Sequence, residues 1–124
     1  MLMNIFRTAQ LRALLMSVAL LFWSIPSLAL ELVMVEQEIC PYCKLFDSEV
    51  GEKYSSTEAG KRAPLRRVDL KSGWPEDLKG IRYDHLTPTF ILIDNGKELG
   101  RFRGYPGPDE FWGLLEQLLA KAGS

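Results

Sequence analysis

The chain has 124 residues, a formal net charge of −1, 25 % charged residues and only two cysteines. A chain of this length favours a single domain, and its charge excludes the strongly basic surface of a nucleic-acid-binding protein. The two cysteines also exclude a small scaffold held together by several disulfides.

Residues 1–29 have the layout of a secretory signal peptide. Two arginines and no acidic residue come before an almost entirely apolar run over residues 13–25, and small residues precede a cleavage site after Ala29. This run is shorter than the about 20 apolar residues of a membrane span. We therefore expect cleavage after Ala29, with an uncleaved anchor as the alternative, and one exported domain over residues 30–124, which we place in a bacterial periplasm.

Strand and helix signals alternate through residues 30–124. Proline suits the first position of a helix, as at Pro41 and Pro108, and the apolar run Thr89–Ile93 is typical of a strand buried on both faces. Asn95-Gly96 is the strongest short hairpin signal. The predicted elements, in order, are a strand over Leu30–Val35, a helix from Pro41 to about Glu52, a strand over Leu65–Leu70, a short helix near Pro75, strands over Thr89–Ile93 and Glu98–Gly104, and a helix from Pro108.

This order predicts an α/β fold with a mixed sheet of about four strands and helices on its faces. The spacing of apolar residues also predicts which helix faces are buried. The first helix is expected to bury Leu45, Phe46 and Val50. The residues expected to form the buried stripe of the last helix are Phe111, Leu114, Leu115, Leu118 and Leu119.

Cys40 and Cys43, in the stretch "EICPYCKLF", lie where the first strand passes into the first helix. The N-terminus of a helix stabilises an anion, and the thiolate is the attacking form of cysteine. Lys44 adds a nearby positive charge, whereas Glu36 and Glu38 oppose it. The position therefore favours a reactive thiolate at Cys40.

The spacing of the two cysteines predicts a division of roles. Cys40 is expected to be exposed and to attack a disulfide, whereas Cys43 is expected to face the core and to resolve the mixed disulfide. A purely structural bridge is disfavoured because so short a loop restricts the unfolded chain little. A metal site is the alternative: with His85 as the only histidine, zinc lacks ligands, but two thiolates suit a soft ion such as Cu(I).

Residues 30–124 resemble the thioredoxin superfamily. The resemblance rests on "CPYC" at residues 40–43, on "TPTFILIDNGKELGRFRGYPG" at residues 87–107 and on the amphipathic last helix. It implies a three-layer thioredoxin-like fold in which a cis peptide bond precedes Pro88, opposite the cysteines. The same resemblance implies that the backbone of Thr87 lies beside Cys40 and pairs with an extended substrate segment.

The chain departs from two patterns within the superfamily. Many glutaredoxins share "CPYC", but the residues around Pro88 and the longer hairpin look like a thioredoxin. Cytosolic thioredoxins carry a buried aspartate six residues before the first cysteine and a tryptophan directly before it, where this chain has Met34 and Ile39. The usual proton acceptor for Cys43 is therefore missing. Glu36 is a candidate substitute, although a solvated carboxylate at the strand end is the favoured interpretation of this residue.

A narrower resemblance is to periplasmic thioredoxins encoded with bacterial sulfur-oxidation (sox) clusters. It rests on "VEQEICPYC", "APLRRVDL" and "FWGLLEQLL" together with the hairpin segment. It implies an exported thiol–disulfide oxidoreductase that reduces a periplasmic protein, such as a sulfur-oxidation carrier protein, with electrons from a membrane thiol-transfer protein. We expect the protein to be a monomer. No cofactor besides the Cys40–Cys43 disulfide, no metal and no nucleic acid is expected. The alternatives are a disulfide-introducing oxidase and a copper metallochaperone.

Other residues near the motif are assigned from their position. His85 is expected on a surface loop, and Arg101 and Arg103 on a solvated strand face. Gly104 ends the last predicted strand and is interpreted first as a turn residue. The superfamily resemblance implies that the loop after this strand lies beside the active site, so close approach of a substrate backbone to Gly104 is the alternative. The residues expected to tune the reactive thiol are Pro41, Tyr42 and Lys44.

Overall fold

The computed structural model describes residues 30–123, and the predicted signal segment with its cleavage site lies outside them. The strands β1–β4 span Leu30–Glu36, Leu65–Asp69, Thr89–Asp94 and Lys97–Arg103, and the helices α1–α4 span Pro41–Phe46, Glu52–Tyr54, Glu58–Arg62 and Pro108–Ala122. A π-helical turn at Asp47–Gly51 joins α1 to α2, and single 3₁₀ turns lie at Leu70–Ser72 and Glu76–Leu78. Within residues 30–123, no helix is long and apolar enough to cross a membrane.

The four strands form one mixed sheet in the order β2-β1-β3-β4. β1 runs parallel to β2, with Leu32 opposite Leu65, and antiparallel to β3, with Leu32 opposite Leu92. β3 and β4 form a hairpin through Asn95-Gly96, whose φ angles of 50° and 82° are those that a two-residue hairpin turn requires. The predicted mixed sheet with flanking helices is confirmed.

Alternation along β1 sends its side chains to two separate cores. Leu32 and Met34 pack in the cluster that contains both cysteines, whereas Val33 and Val35 pack in a second cluster. Successive side chains of a strand point to opposite faces, so β1 is buried on both sides. β3 is likewise buried over Thr89–Ile93, as predicted.

Helix α4 brings the aromatic centre of the core against the sheet. The ring of Phe111 is fully buried and lies 5.0 Å from the ring of Phe90 and 5.2 Å from that of Phe46. Leu114 is only half-buried, in contrast to its prediction. The predicted stripe residues that are buried are Phe111, Leu115, Leu118 and Leu119.

Helix α1 begins at Pro41, as predicted, and its helical path continues through the π-helical turn into α2. Phe46 and Val50 are buried, but Leu45 is 43 % exposed, so its predicted place on the buried face is wrong. The buried face of α1 is set by Cys43 and Phe46, which are three residues apart. Leu45 lies two residues after Cys43, and residues at that spacing do not share a helix face.

Gly60, in α3, is expected to tolerate no larger residue. A Cβ atom at this position would lie 1.8 Å from the backbone oxygen of Tyr54. Gly60→Ala should therefore lower the free energy of unfolding by about 1–3 kcal/mol, the usual cost of overpacking. Urea unfolding measures this change, with Gly113→Ala in α4 as the control, because a Cβ there meets no atom within 4 Å. An equal loss in both variants would contradict the steric explanation.

Candidate active site

Cys40 is the N-cap residue of α1. Its backbone is extended, with φ −145° and ψ 93°, and its Sγ accepts a hydrogen bond from the Cys43 N–H at 3.2 Å. Its carbonyl oxygen accepts another from the Lys44 N–H at 3.2 Å. Pro41 occupies the first helical position, where an N–H would have no intrahelical partner. The sulfur of Cys40 is thus held at the helix end that favours negative charge.

Cys40 and Cys43 form a disulfide with an S–S distance of 2.07 Å. Each residue is only 4 % exposed. Cys43 faces the core as predicted, but the prediction that Cys40 is exposed is wrong for this oxidised form. As the N-cap, Cys40 turns its sulfur back over the first turn of the helix, where it joins the cluster of Phe46 and Tyr105.

Pro88 lies directly before β3, and the Thr87–Pro88 peptide bond is cis. The carbonyl oxygen of Pro88 accepts a hydrogen bond from the Gly104 N–H at 2.7 Å, which ties the start of β3 to the end of β4. Gly104 has a φ of 83°, a conformation that glycine adopts without steric cost. Pro88 is buried, whereas Thr87 is half-buried.

The loop after β4 lies beside both the cysteine motif and Pro88. Tyr42 and Gly104 line one open cavity of about 300 Å³ together with Arg103, Tyr105 and Pro106. Because Gly104 also binds Pro88, the structure brings the cysteine motif and the cis peptide to one face of the domain.

Glu36, the candidate proton acceptor, is paired with an arginine. Its Oε2 lies 2.7 Å from Nη1 of Arg67, and the same guanidinium binds Asp47 of the π-helical turn. Burial lowers the pKa of Arg67, but the hydrogen bonds to Asp47 and Glu36 outweigh burial and raise it. Met34 is fully buried in the cysteine cluster. Among residues 30–123 no hydrogen bond joins Glu36 to Cys43, so its role as proton acceptor stays a prediction.

Asp84 is a residue of this face that the sequence did not indicate. Its Oδ2 lies 2.7 Å from Nε of Arg103 and 3.2 Å from Nη1 of Arg101, and its Oδ1 accepts the Leu86 N–H at 3.1 Å. Burial raises the pKa of Asp84, but these hydrogen bonds outweigh burial and hold it below the ordinary value of 3.8. The predicted solvated position of Arg101 is wrong: its side chain is 9 % exposed because it binds Asp84 and Glu98. Arg103 is half-exposed.

Tyr105 was also missing from the predicted site. Its ring lies 5.6 Å from that of Phe46, and its hydroxyl donates to Oε2 of Glu49 at 3.4 Å. Burial, with the nearby carboxylate of Glu49, raises the pKa of Tyr105 to about 12. The phenol therefore stays protonated and acts as a hydrogen-bond donor at neutral pH.

His85 is exposed on the loop before Pro88, as predicted, with its ring edge-on to Tyr83 at 4.5 Å. The segment 82–86 and Arg103 line a second open cavity, of about 410 Å³. In the part of the chain that the structure describes, no three His, Cys, Asp or Glu side chains are grouped so that they could hold a metal ion.

The family of the chain follows from comparison with known protein families. The family model that describes the thioredoxin-like domain matches residues 30–119 of this chain. The chain belongs to the thioredoxin-like family. With its Cys40–Cys43 disulfide, this thioredoxin-like protein is a thiol–disulfide oxidoreductase. A comparison with curated protein sequences finds no match.

Solved thioredoxin structures share the fold of this thioredoxin-like protein. Periplasmic thioredoxin SoxS from Paracoccus pantotrophus, in its reduced form, is 39 % identical, with a TM-score of 0.70, over 75 % of this chain and 98 % of SoxS. Malassezia sympodialis thioredoxin (Mala s 13) and reduced desulfothioredoxin from Desulfovibrio vulgaris Hildenborough are each 26 % identical, with a TM-score of 0.57. These two matches cover 73 % of this chain and 76 % and 82 % of the respective proteins. The predicted resemblance to periplasmic thioredoxins of sulfur oxidation is confirmed.

Proposed function

We propose that this thioredoxin-like protein is exported and reduces a disulfide of a partner protein, with Cys40 as the nucleophile and Cys43 as the resolving thiol. The observation that carries the proposal is the N-cap position of Cys40, whose Sγ accepts the Cys43 N–H at 3.2 Å. In the reduced protein, a hydrogen bond from the same N–H and the helix N-terminus would both favour the thiolate of Cys40. The first turn of α1 contains no acidic residue, and Lys44 adds a positive charge.

The proposed reaction has two exchange steps. The Cys40 thiolate attacks one sulfur of the partner's disulfide, so that a bond forms between the two sulfurs and the other partner sulfur leaves as a thiolate. The Cys43 thiolate then attacks Sγ of Cys40, which closes the Cys40–Cys43 disulfide and releases the second partner thiolate. Two electrons pass to the partner, and two protons from the protein's dithiol reach it through solvent. A dithiol of a membrane thiol-transfer protein renews the reduced form.

Thr87 and Pro88 are the proposed docking point for the partner's backbone. Within residues 30–123, no residue makes a hydrogen bond to the main chain of Thr87, which is half-buried. The neighbouring carbonyl of Pro88 is already occupied by Gly104. An extended segment can therefore pair with the free peptide groups of Thr87 in the manner of an added strand, which would hold its disulfide beside Cys40.

The surface beside these residues suits a protein partner. Ile39 precedes Cys40 and is 86 % exposed, Tyr42 lies between the cysteines and is 60 % exposed, and Leu86 precedes Thr87 and is 50 % exposed. Exposed apolar patches are typical of interaction sites, and each of these three side chains adjoins a residue of the proposed site in the sequence. Similarity to a periplasmic thioredoxin, together with the predicted signal segment, supports export. A carrier protein of sulfur oxidation is the proposed partner because the family resemblance of the sequence implies it.

Cys43→Ser should trap the physiological partner as a mixed disulfide with Cys40, because the resolving thiolate is missing. A tagged full-length variant is expressed in the organism from which the sequence comes. It is then purified with its bound partners, separated on non-reducing gels and analysed by mass spectrometry. We expect an adduct that dithiothreitol releases, and none with the matched control that lacks both thiols. The proposal fails if Cys43→Ser captures no adduct and the wild-type protein reduces no protein disulfide.

The direction of electron flow is tested by the reduction potential of the Cys40–Cys43 pair. Equilibration with glutathione buffers measures it. A value near the about −270 mV of thioredoxin supports the proposed reductase, whereas a value near about −120 mV indicates an oxidase.

A further inference from the structure

We infer that Asp84 is a positioning residue: it holds the segment Leu86–Pro88 in the conformation that receives the backbone of a protein substrate. The inference rests on the proposed function, because it assigns Asp84 to the docking point formed by Thr87 and Pro88. Asp84 itself touches neither the cysteines nor Thr87 through any hydrogen bond among residues 30–123. It acts through its neighbours.

One carboxylate ties this segment to strand β4. Oδ1 of Asp84 accepts the N–H of Leu86 at 3.1 Å, which fixes the backbone one residue before Thr87. Oδ2 accepts Nε–H of Arg103 at 2.7 Å and Nη1–H of Arg101 at 3.2 Å. The loop is thereby anchored to two residues of the strand that ends next to Gly104.

Further hydrogen bonds fix the segment on either side of Thr87. The Thr89 hydroxyl donates to the Leu86 carbonyl at 2.6 Å, and the Gly104 N–H donates to the Pro88 carbonyl at 2.7 Å. With the bond from Leu86 N–H to Asp84, both peptide groups of Leu86 are occupied. Within the described part of the chain, Thr87 therefore has unpaired main-chain groups between two fixed neighbours, which is the arrangement that substrate pairing requires.

Burial makes the Asp84 anchor stronger than a surface ion pair. The side chain of Asp84 is 7 % exposed and that of Arg101 is 9 % exposed. Charge-assisted hydrogen bonds shielded from water are stronger than exposed ones, and a buried charge that loses its partner is costly. Arg101 also donates to the Arg82 carbonyl at 2.9 Å, so the same arginine holds the loop at two points, Arg82 and Asp84.

The test compares a protein disulfide with a small one. Pre-reduced wild-type protein, Asp84→Asn and Asp84→Ala are each mixed with insulin or with the neutral disulfide of 2-mercaptoethanol. The reaction is stopped with acid and the remaining thiols are alkylated. Mass spectrometry then measures the fraction of the protein that is oxidised. We expect Asp84→Ala to slow insulin reduction about tenfold, since a small misplacement costs one to two orders of magnitude. Reduction of the small disulfide, which needs no backbone pairing, should stay within about twofold.

Asp84→Asn separates the two functions of the carboxylate. Its amide oxygen can still accept the Leu86 N–H, while the charge that binds Arg101 and Arg103 is gone. We therefore expect an insulin rate between those of wild type and Asp84→Ala. The control is Asp77→Ala, which removes the bonds of an exposed carboxylate to Arg66, at 2.6 Å and 2.8 Å, away from this loop. It should leave both rates unchanged.

The outcomes distinguish the two proposals. If wild-type protein reduces neither substrate, the proposed function fails, and the assignment of Asp84 fails with it. If wild-type protein reduces both, but Asp84→Ala lowers both rates equally or neither, only the assignment of Asp84 is overturned. Equal reduction potentials for wild type and Asp84→Ala are expected, and a shifted potential would show that Asp84 acts on the cysteines instead.

Discussion

Cys40→Ser is expected to bring the reduction of protein disulfides down to the rate of buffer alone. A serine hydroxyl is protonated at neutral pH and forms no mixed disulfide, so the first exchange step is lost. Serine is a favoured N-cap residue and can accept the N–H of Cys43 in place of Sγ. Loss of the Cys40–Cys43 bridge should cost little stability because the bridge closes a very short loop. Insulin reduction by the pre-reduced protein measures the effect.

Cys43→Ser is the matched comparison, since both variants lack the same bridge. It keeps the attacking thiol of Cys40 and should consume one equivalent of disulfide per molecule without turning over. The two variants should also unfold at similar temperatures. If Cys40→Ser formed the adduct and Cys43→Ser did not, the assigned roles of the two thiols would be reversed.

Phe111→Ala is expected to cost more stability than the other substitutions considered, about 3–5 kcal/mol. Phe111 is fully buried in α4, and its removal would leave a cavity at the centre of the main core. A domain of this size has a total free energy of unfolding of about 5–15 kcal/mol, so the loss is a large part of that total. The aromatic rings with centroids within 6.5 Å of its own belong to Phe46, Tyr54, Phe90, Phe102, Tyr105 and Trp112.

Urea unfolding followed by circular dichroism measures the loss for Phe111→Ala. Leu114→Ala, in the same helix, is the control because Leu114 is only half-buried, and its truncation removes less apolar area from the core. Equal losses for the two variants would show that Phe111 is not the centre of the core. Since Phe111 shares its cluster with both cysteines, the variant should also lose reductase activity as it unfolds.

Local signals in the sequence predict most of the fold. Pro41, Pro108 and the pair Asn95-Gly96 each act through their own backbone, so they place a helix start or a turn without reference to the rest of the chain. The second strand ends one residue before its predicted end because Asp69 caps the 3₁₀ turn that follows.

The active face is predicted only in part, because its missing members depend on contacts across the fold. The cysteines and Pro88 are recognised by their spacing and by the family resemblance. Asp84 and Arg101 are 17 residues apart, and their pairing follows only from the path of the loop over β4. The local signal, an aspartate that binds a backbone N–H two residues on, is too common in turns to single out Asp84.

The arginines of the outer strands have a consequence for self-association. In the order β2-β1-β3-β4, the sheet edges are β2, with Arg66 and Arg67, and β4, with Arg101 and Arg103. Charged side chains on an edge strand oppose pairing with the edge of another molecule. Arg67, Arg101 and Arg103 hold segments near the cysteines, and together with Arg66 they also place charge on both open edges of the sheet, which opposes edge-to-edge association.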